Sequence, residues 1–477
     1  MQLKDLLKGL KVKKIHGKRN REIDSIAYNS KNVTSQSLFV CLVGSKYDGK
    51  DFVNEAILKG ATVIVSEQTM TDLQKGITYI EVTNSRNALA KISMNYFHSP
   101  SNQVLLIGFT GTKGKTTSSF MLKQILEDHG LNVGLIGTNG VYYQNQHLLL
   151  QNTTPESYEI HYYLNEMVKN KVQIVLMEVS SLAYKFNRIA YLTFDLLVYT
   201  NLYPDHISSL EHEDFEDYKQ CKKEIIKQAK ICFYNQNDPY ASYMKTNVKT
   251  KMIPYSLNEI QAIEYVQKEK LGMQFIYQNK LYFIPFPGKF NICNALCSIK
   301  VADYLNIPKE EIVKSLAKVK IEGRFEYVKT YPGVKVYIDF AHNAYSMECL
   351  LKTCLQYHPK RLIVVFGCGG QRDKKRRYEM GRIAGMNASL TILTADNSRY
   401  EKTIDIIQEI IKGVKEVNGD YLVIENRKNA LEYALQIAKV GDMIMILGKG
   451  HEKYQDLSGI KYQFNEKQIL LDYLNKE

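Results

Sequence analysis

The eight residues Thr110-Gly111-Thr112-Lys113-Gly114-Lys115-Thr116-Thr117 constrain this chain more than any others. They follow the apolar run VLLIGF and precede a stretch of helical period, SSFMLKQILEDHG, closed by Gly130. A glycine-rich turn between a strand and a helix aims backbone N–H groups and the helix N-terminus at an anion, most often phosphate. In such a loop Lys115 reaches the terminal phosphates and the Thr116 hydroxyl meets Mg²⁺. The general pattern wants a glycine where Phe109 stands, so the chain meets the GKT half and departs from the rest. A phosphate loop also needs an acid at the end of a neighbouring strand. The run VQIVLM at 172–177 ends in Glu178, which supplies it.

Further apolar runs at 195–200 and 231–234 also end at polar residues. Strand–helix alternation of this kind predicts a parallel sheet covered on both faces. After about residue 325 a second series begins, with VKVYIDFAH, RLIVVFGCGG, LTILTADN and DMIMILGKGHE. Ligands of open α/β sheets bind beyond the carboxyl ends of the strands, so four polar endings predict a second site. Before residue 100 short strands (SLFVCLVG, ATVIVSE) mix with turns (KYDGKDF), and the polar FHSPSNQ at 97–103 reads as a linker. The expected architecture is α/β with three domains. A smaller N-terminal domain spans 1–98, a central phosphate-loop domain with a parallel sheet spans 99–326, and a Rossmann-like doubly wound domain spans 327–477.

Composition narrows the setting. At 477 residues and 45% hydrophobic content the chain can bury several cores. No apolar run approaches membrane-span length, and the N-terminal MQLKDLLKGLKVKKIHGKRNR has no signal-type apolar segment, so a cytoplasmic protein is expected. The 8 cysteines include no CxxC pair and read as small buried hydrophobes. The net charge of +13 admits nucleic acid, anionic lipid or phosphorylated small molecules. Its lysines and arginines are scattered, without a dedicated basic arm, and nucleic acid has only the charge in its favour.

Seven motifs occur in the order found in one family: TGTKGKTT, MEVSS (177–181), TNLYPDH (200–206), GKFNICNA (288–295), EGRFE (322–326), DFAHN (339–343) and GKGHE (448–452). With them the chain resembles a Mur ligase over essentially its whole length. The resemblance implies an ATP-dependent, ADP-forming amide ligase of peptidoglycan biosynthesis. DNSR (396–399) before GKGHE points within the family to addition of the third stem-peptide residue. The implied substrate is UDP-N-acetylmuramoyl-L-alanyl-D-glutamate. Its carboxylate is activated as an acyl phosphate and then attacked by a diamino acid, with ADP and phosphate released. Two anions must approach each other, so such a site needs cations, here Lys115 and Mg²⁺.

The resemblance assigns residues motif by motif. Gly111, Thr112, Lys113, Gly114, Lys115, Thr116 and Thr117 would cradle ATP. Asn291 and Asn294 would lie on its adenine side, and Arg324, Asp339 and His342 would complete its clamp. Thr116, Glu178, His206 and Lys222 would hold Mg²⁺, with Lys222 carbamylated and Lys219 and Lys223 close enough to compete for the match. Lys115, His206 and Lys222 would be catalytic. Ser30, Asp48 and Gly49 would meet the uridine nucleotide, and Thr153, Thr154, Ser180 and Arg188 the sugar and dipeptide. Asn29-Ser30-Lys31 departs from the family's Asp-Ser-Arg, and Leu182 replaces a common histidine.

Arg372, Asp396, Asn397, Arg399, Gly448 and Glu452 would bind the incoming amino acid. Arg399 favours meso-2,6-diaminopimelate, whose distal carboxylate it would grip in a bidentate pair. The stretch EHEDFEDYKQCK at 211–222 leans instead toward relatives that add L-lysine. A folylpolyglutamate synthetase-like ligase is a further alternative, disfavoured by DGKDF and GKGHE, and a nucleotide-binding protein that has lost its chemistry is another. Small-molecule substrates, no nucleic acid, no membrane span and a monomer complete the expectation.

Overall fold

A computed structural model describes residues 1–44, 47–205, 207–208, 211–267 and 271–475. The chain divides into two compact units, Met1–Leu257 with Leu296–Ile312, and Asn258–Ala295 with Val313–Glu477.

The first unit holds two sheets. In the N-terminal sheet the strands run in the order Val12–His16, Thr78–Val82, Ala61–Ser66, Ser37–Val40, Ser25–Ala27, parallel except for the first pair. The helix Ser85–Tyr96 starts where the Asn84 side chain accepts the Asn87 N–H, and it buries Ala88, Leu89 and Ile92 with the sheet residues Leu38, Val63 and Ile80. The linker read at 97–103 is a short connection whose second half, Pro100–Gln103, is a single 3₁₀ turn.

The larger sheet has eight strands, in the order Lys251–Tyr255, Ala229–Asn235, Phe194–Tyr199, Leu105–Thr110, Ile174–Glu178, Val133–Gly137, Gly140–Tyr143, Gln146–Leu148. The first six are parallel, and the last two add an antiparallel edge. Leu106, Ile107, Phe109, Val175, Leu176, Leu197 and Val198 are all fully buried. That is why these strands read as continuous apolar runs, as strands covered on both faces do. The strand before the phosphate loop lies between Ile174–Glu178 and Phe194–Tyr199, with Phe109 beside Glu178 and Thr110 beside Tyr199. This register delivers the loop, Glu178 and the segment from Thr200 to the same end of the sheet.

The second unit contains an antiparallel three-stranded sheet of Ile260–Gln267, Leu271–Tyr277 and Lys280–Ile284. Its larger sheet runs Glu326–Val328, Lys335–Asp339, Met443–Leu447, Leu362–Phe366, Leu390–Leu393, Tyr421–Val423, parallel except for the first pair. The four apolar runs expected after residue 325 are four neighbouring strands. Cys41, Cys221, Cys232, Cys297, Cys354 and Cys368 are buried, as small hydrophobes are, and form no disulfide. Among the described residues no helix is long and apolar enough to cross a membrane.

Candidate active site

Two glycines give the phosphate loop its shape. Gly114 is in the left-handed region (φ 87°) as the N-cap of the helix Lys115–Asp128. Gly111 has φ 142°, and a Cβ there would sit 2.0 Å from Thr200 Oγ1. The segment from Thr200 braces the loop from below. Asn201 Oδ1 accepts the Lys113 N–H (2.9 Å), the Thr112 N–H reaches Asn201 O (2.9 Å), and Thr200 Oγ1 donates to Lys113 O (2.6 Å). Thr112 Oγ1 accepts the Tyr203 N–H (3.0 Å) and lies 3.0 Å from the Tyr218 hydroxyl. Lys115 Nζ folds back over the loop to Gly111 O (2.8 Å), and Lys113 Nζ pairs with Asp205 (2.9 Å).

Glu178 is the hub. Its fully buried carboxylate accepts from Thr116 Oγ1 (2.9 Å), Thr138 N (3.0 Å) and Thr138 Oγ1 (3.0 Å). Thr138 Oγ1 is also 3.1 Å from Thr153 Oγ1. A Cβ on Gly137 would sit 2.3 Å from Glu178 Oε1, so that glycine makes room for the carboxylate. Sequence reasoning missed Gly137 and Thr138; their only signal was a Gly-Thr pair ending an apolar run. Hard oxygen donors such as Thr116 and Glu178 suit Mg²⁺. His206 lies outside the described residues.

Lys222 lies on the helix Phe215–Lys227 and is 1% exposed. Its Nζ donates to Gly111 O (3.0 Å) and Thr110 Oγ1 (3.3 Å), whereas Lys219 and Lys223 both lie over the Tyr243 ring. Of the three lysines, Lys222 is the one that reaches the phosphate loop. Burial, and then the charge of Lys115, push its amine well below the ordinary lysine range. A neutral amine is the form that can add carbon dioxide and become an oxygen ligand. The same helix start ties down another loop. His212, fully buried, is 3.0 Å from Asp217 Oδ2 through Nδ1 and 2.8 Å from Ser181 Oγ through Nε2. This polar contact falls on Ser181, next to Leu182, which stands where the resemblance expects a histidine.

Of the residues expected at the sugar and dipeptide, Thr154 Oγ1 donates to Glu178 O (2.9 Å) and accepts the Ser180 N–H (3.0 Å). Ser180 caps the helix Ser181–Lys185, and Arg188 reaches Thr154 O (3.1 Å) and Glu156 (3.0 Å). Thr153, Thr154, Ser180 and Arg188 are thus joined to the Glu178 end of the sheet. Ser30, Asp48 and Gly49 lie in turns beside the N-terminal sheet, Ser30 opening the 3₁₀ turn Ser30–Asn32 and Asp48 capping the 3₁₀ turn Gly49–Phe52. Ser30 Oγ donates to Glu55 (3.0 Å), Asp48 accepts from Lys50 N (2.9 Å) and Gln68 (2.7 Å), and a Cβ on Gly49 would meet Leu42 N at 2.6 Å.

Asn291, Asn294, Arg324, Asp339 and His342 all lie in the second unit. Asn294 Nδ2 donates to Asn291 Oδ1 (3.0 Å), and Asn291 Nδ2 donates to Pro287 O (2.7 Å). Arg324 stacks on Phe340 (4.6 Å), and Asp339 accepts the Phe325 and Ala341 N–H groups (2.8 Å each). Burial raises the Asp339 carboxyl above its usual range against the pull of Arg324. His342 Nδ1 lies 2.8 Å from Phe340 O.

The residues expected at the amino acid do gather in one place. Asn397 Nδ2 donates to Glu452 (2.9 Å), and its Oδ1 accepts from Lys449 (3.0 Å) and Asp456 N (2.9 Å). A Cβ on Gly448 would sit 2.7 Å from Asp396 Oδ2, and Arg399 Nη1 donates to Gly370 O (2.5 Å). A Cβ on Gly369 would lie 3.7 Å from Arg372 Cγ and 4.0 Å from Arg399 Nη1, so both arginines border one glycine. Arg427, 1% exposed, holds the strand ends beneath them. It donates to Ala395 O (3.0 Å), Leu447 O (2.8 Å) and Glu466 (2.7 Å). Neither Arg427 nor Lys449 was named as a site residue from the sequence: Arg427 lies outside every motif, and GKGHE pointed to Gly448 and Glu452.

A parallel sheet with a phosphate loop, a buried carboxylate beside it and a second doubly wound sheet defines a nucleotide-binding α/β enzyme. Residues 22–97, 109–302 and 323–450 match the Mur ligase family catalytic domain, the Mur ligase middle domain and the Mur ligase glutamate ligase domain, respectively. The chain belongs to the Mur ligase family. It is 37% identical to the UDP-N-acetylmuramoyl-L-alanyl-D-glutamate–2,6-diaminopimelate ligase of Alkaliphilus oremlandii, over 100% of this chain and 99% of that one. The enzyme of the same description from Clostridium perfringens is 38% identical over 99% of each chain. A solved structure of such a ligase, 22% identical, superposes over 100% of this chain and 99% of its own with a TM-score of 0.67. The Thermotoga maritima MurF ligase in complex with ADP, 18% identical, shares the fold over 95% of this chain and 97% of its own (TM-score 0.61). Mycobacterium tuberculosis folylpolyglutamate synthase with ADP, 15% identical, does so over 76% of this chain and 91% of its own (TM-score 0.62).

Proposed function

We propose that this ligase joins meso-2,6-diaminopimelate to UDP-N-acetylmuramoyl-L-alanyl-D-glutamate at the expense of ATP, in the cytoplasm. The observation that carries the reading is the cluster of Arg372, Asn397, Arg399 and Glu452 around the loop at Gly369–Gly370. Two arginines suit a substrate with two carboxylates, and Glu452 suits its ammonium groups. L-Lysine has no distal carboxylate for the second arginine. Relatives of matching length named as diaminopimelate ligases support the same reading.

In this reading a D-glutamate carboxylate oxygen attacks the γ-phosphorus of ATP, and the bond to the bridging oxygen breaks as ADP leaves. The amine of the amino acid then attacks the acyl carbon, phosphate departs with the bonding pair, and the nitrogen loses a proton. The backbone N–H groups of the loop from Gly111 to Thr117 hold the phosphates, and Lys115 shifts from Gly111 O to the γ-phosphate. Thr116 and Glu178, with His206 and a carbamylated Lys222, would hold Mg²⁺, which supplies positive charge where the two anions meet. Asn291, Asn294, Arg324, Asp339 and His342 bind the nucleotide; Ser30, Asp48, Gly49, Thr153, Thr154, Ser180 and Arg188 bind the UDP-sugar dipeptide. The three-domain division near 99 and 327 belongs to this proposal.

The test is product formation in vitro. ADP and phosphate appear in equal amounts only when ATP, the UDP-dipeptide and diaminopimelate are all present, and the nucleotide product gains the mass of diaminopimelate less one water. Absence of that product with all three present would refute the reading.

A further inference from the structure

Arg377 sits in the first turns of the helix Lys374–Asn387, and only 1% of it is exposed. Its Nη1 donates to Glu401 Oε2 and Glu409 Oε2, both at 2.8 Å, and its Nη2 donates to Glu401 Oε1 (2.9 Å) and Gly369 O (3.3 Å). Glu401 Oε1 also accepts the Gln371 N–H. One guanidinium therefore joins the loop that carries Arg372 to the residue two places beyond Arg399.

Both loops need such support. Gln371 and Arg399 are non-glycine residues with left-handed backbone, at φ 55° and 53°. Side-chain-bearing residues hold that conformation only where the surroundings fix it. At Gln371 the fixing contact is the N–H donated to Glu401; at Arg399 it is the N–H donated to Asp456 O (3.0 Å). The loops also touch backbone to backbone. The Gly370 N–H donates to Asn397 O (2.9 Å), and a Cβ on Gly370 would lie 2.0 Å from Ser398 O. Arg377 holds Glu401 ionised, drawing its carboxyl down to about 2. At Glu409 burial works the other way, yet Arg377 and Lys374 leave the group below its ordinary value.

We propose that the Arg377–Glu401 pair is a positioning clamp for amino-acid selection, setting the spacing of Arg372 and Arg399 so that together they fit a substrate with two carboxylates. The proposal rests on the reading of this pocket as the amino-acid site. Stability alone is a weak reason for such a pair, because with Arg377 buried and Glu401 partly exposed the cost of desolvating the arginine offsets much of the Coulombic gain. Lysine cannot replace Arg377, since a single ammonium cannot bridge both Glu401 oxygens, Glu409 and Gly369 O in one plane.

Arg377→Lys and Glu401→Gln test the clamp in the full-length enzyme, with thermal melts to confirm folding. Each variant should raise KM for diaminopimelate about tenfold or more, leaving KM for ATP and for the UDP-dipeptide within about twofold. The ratio of kcat/KM for diaminopimelate over L-lysine should fall with it. Amide exchange in Glu401→Gln should accelerate at Gln371 and across 397–401, a readout that needs no turnover. Unchanged exchange, or the three KM values rising together, would overturn the clamp. A wild-type enzyme that uses only L-lysine would instead refute the diaminopimelate reading, and accelerated exchange with a raised KM for lysine would leave the clamp standing.

Discussion

A single methyl group at Gly137 should switch off the proposed metal site. The Cβ of Gly137→Ala would lie 2.3 Å from Glu178 Oε1, so the carboxylate must leave Thr116 and Thr138. Ligase activity is expected to fall about 100-fold, the scale of losing one preorganised electrostatic contact, and the melting temperature to fall with it, because a fully buried carboxylate loses its donors. Steady-state ADP release and a melt measure both. Arg399→Ala makes the opposite kind of cut. It should raise KM for diaminopimelate about 100-fold and leave L-lysine kinetics unchanged, since only the first substrate has a distal carboxylate to lose. Lys115, Thr116 and Glu178 were legible as residues because the chemistry of a phosphate loop dictates their types and spacing. Thr138 and Arg377 were not. Their roles depend on which strand lies beside which, and a one-dimensional reading contains no strand order. Among Lys219, Lys222 and Lys223 the resemblance pointed to Lys222 with the other two close enough to compete, and of the three it is Lys222 whose Nζ reaches Gly111 O.

At the scale of elements, the helix Ser157–Lys169 carries a pH liability. His161 is 1% exposed within it, its Nδ1 has no hydrogen-bond partner among the described residues, and burial pushes its pKa from 6.5 down to about 4. Between those values the unfolded chain takes up a proton that the native chain does not, so stability falls as the pH drops through that window. Urea midpoints across it should decline in the wild type, and His161→Leu should flatten the decline. The strand ends near Ala395 and Leu447 rest on Arg427 and Glu466, both buried. Arg427→Ala leaves the Glu466 carboxylate without its partner and should cost about 3–5 kcal/mol in chemical denaturation. The long strands of both large sheets were legible because burial on two faces leaves uninterrupted apolar runs. Glu326–Val328 and Tyr421–Val423 were not, because three residues at a sheet edge carry no period. The hairpin Tyr454–Leu457 with Ile460–Gln463 escaped for a similar reason, its second strand being exposed throughout.

For the molecule as a whole, the net charge of +13 has acquired partial addresses. Lys115, Arg372 and Arg399 stand at the two proposed anion sites, and Arg188 already answers Glu156. Surface lysines paired with nearby acids, as at Lys123–Glu127 and Lys352–Glu348, cancel in that sum, and their stabilisation is small. The phosphate loop and the proposed sugar residues belong to the first compact unit, and all the proposed amino-acid residues belong to the second. The amino-acid choice can therefore be examined by changing the second unit alone. The most direct measurement offers the wild-type enzyme ATP and UDP-N-acetylmuramoyl-L-alanyl-D-glutamate with equal meso-diaminopimelate and L-lysine, and weighs the nucleotide products. Diaminopimelate product in large excess is the predicted result, and predominance of the lysine adduct, or no adduct of either, would contradict the account.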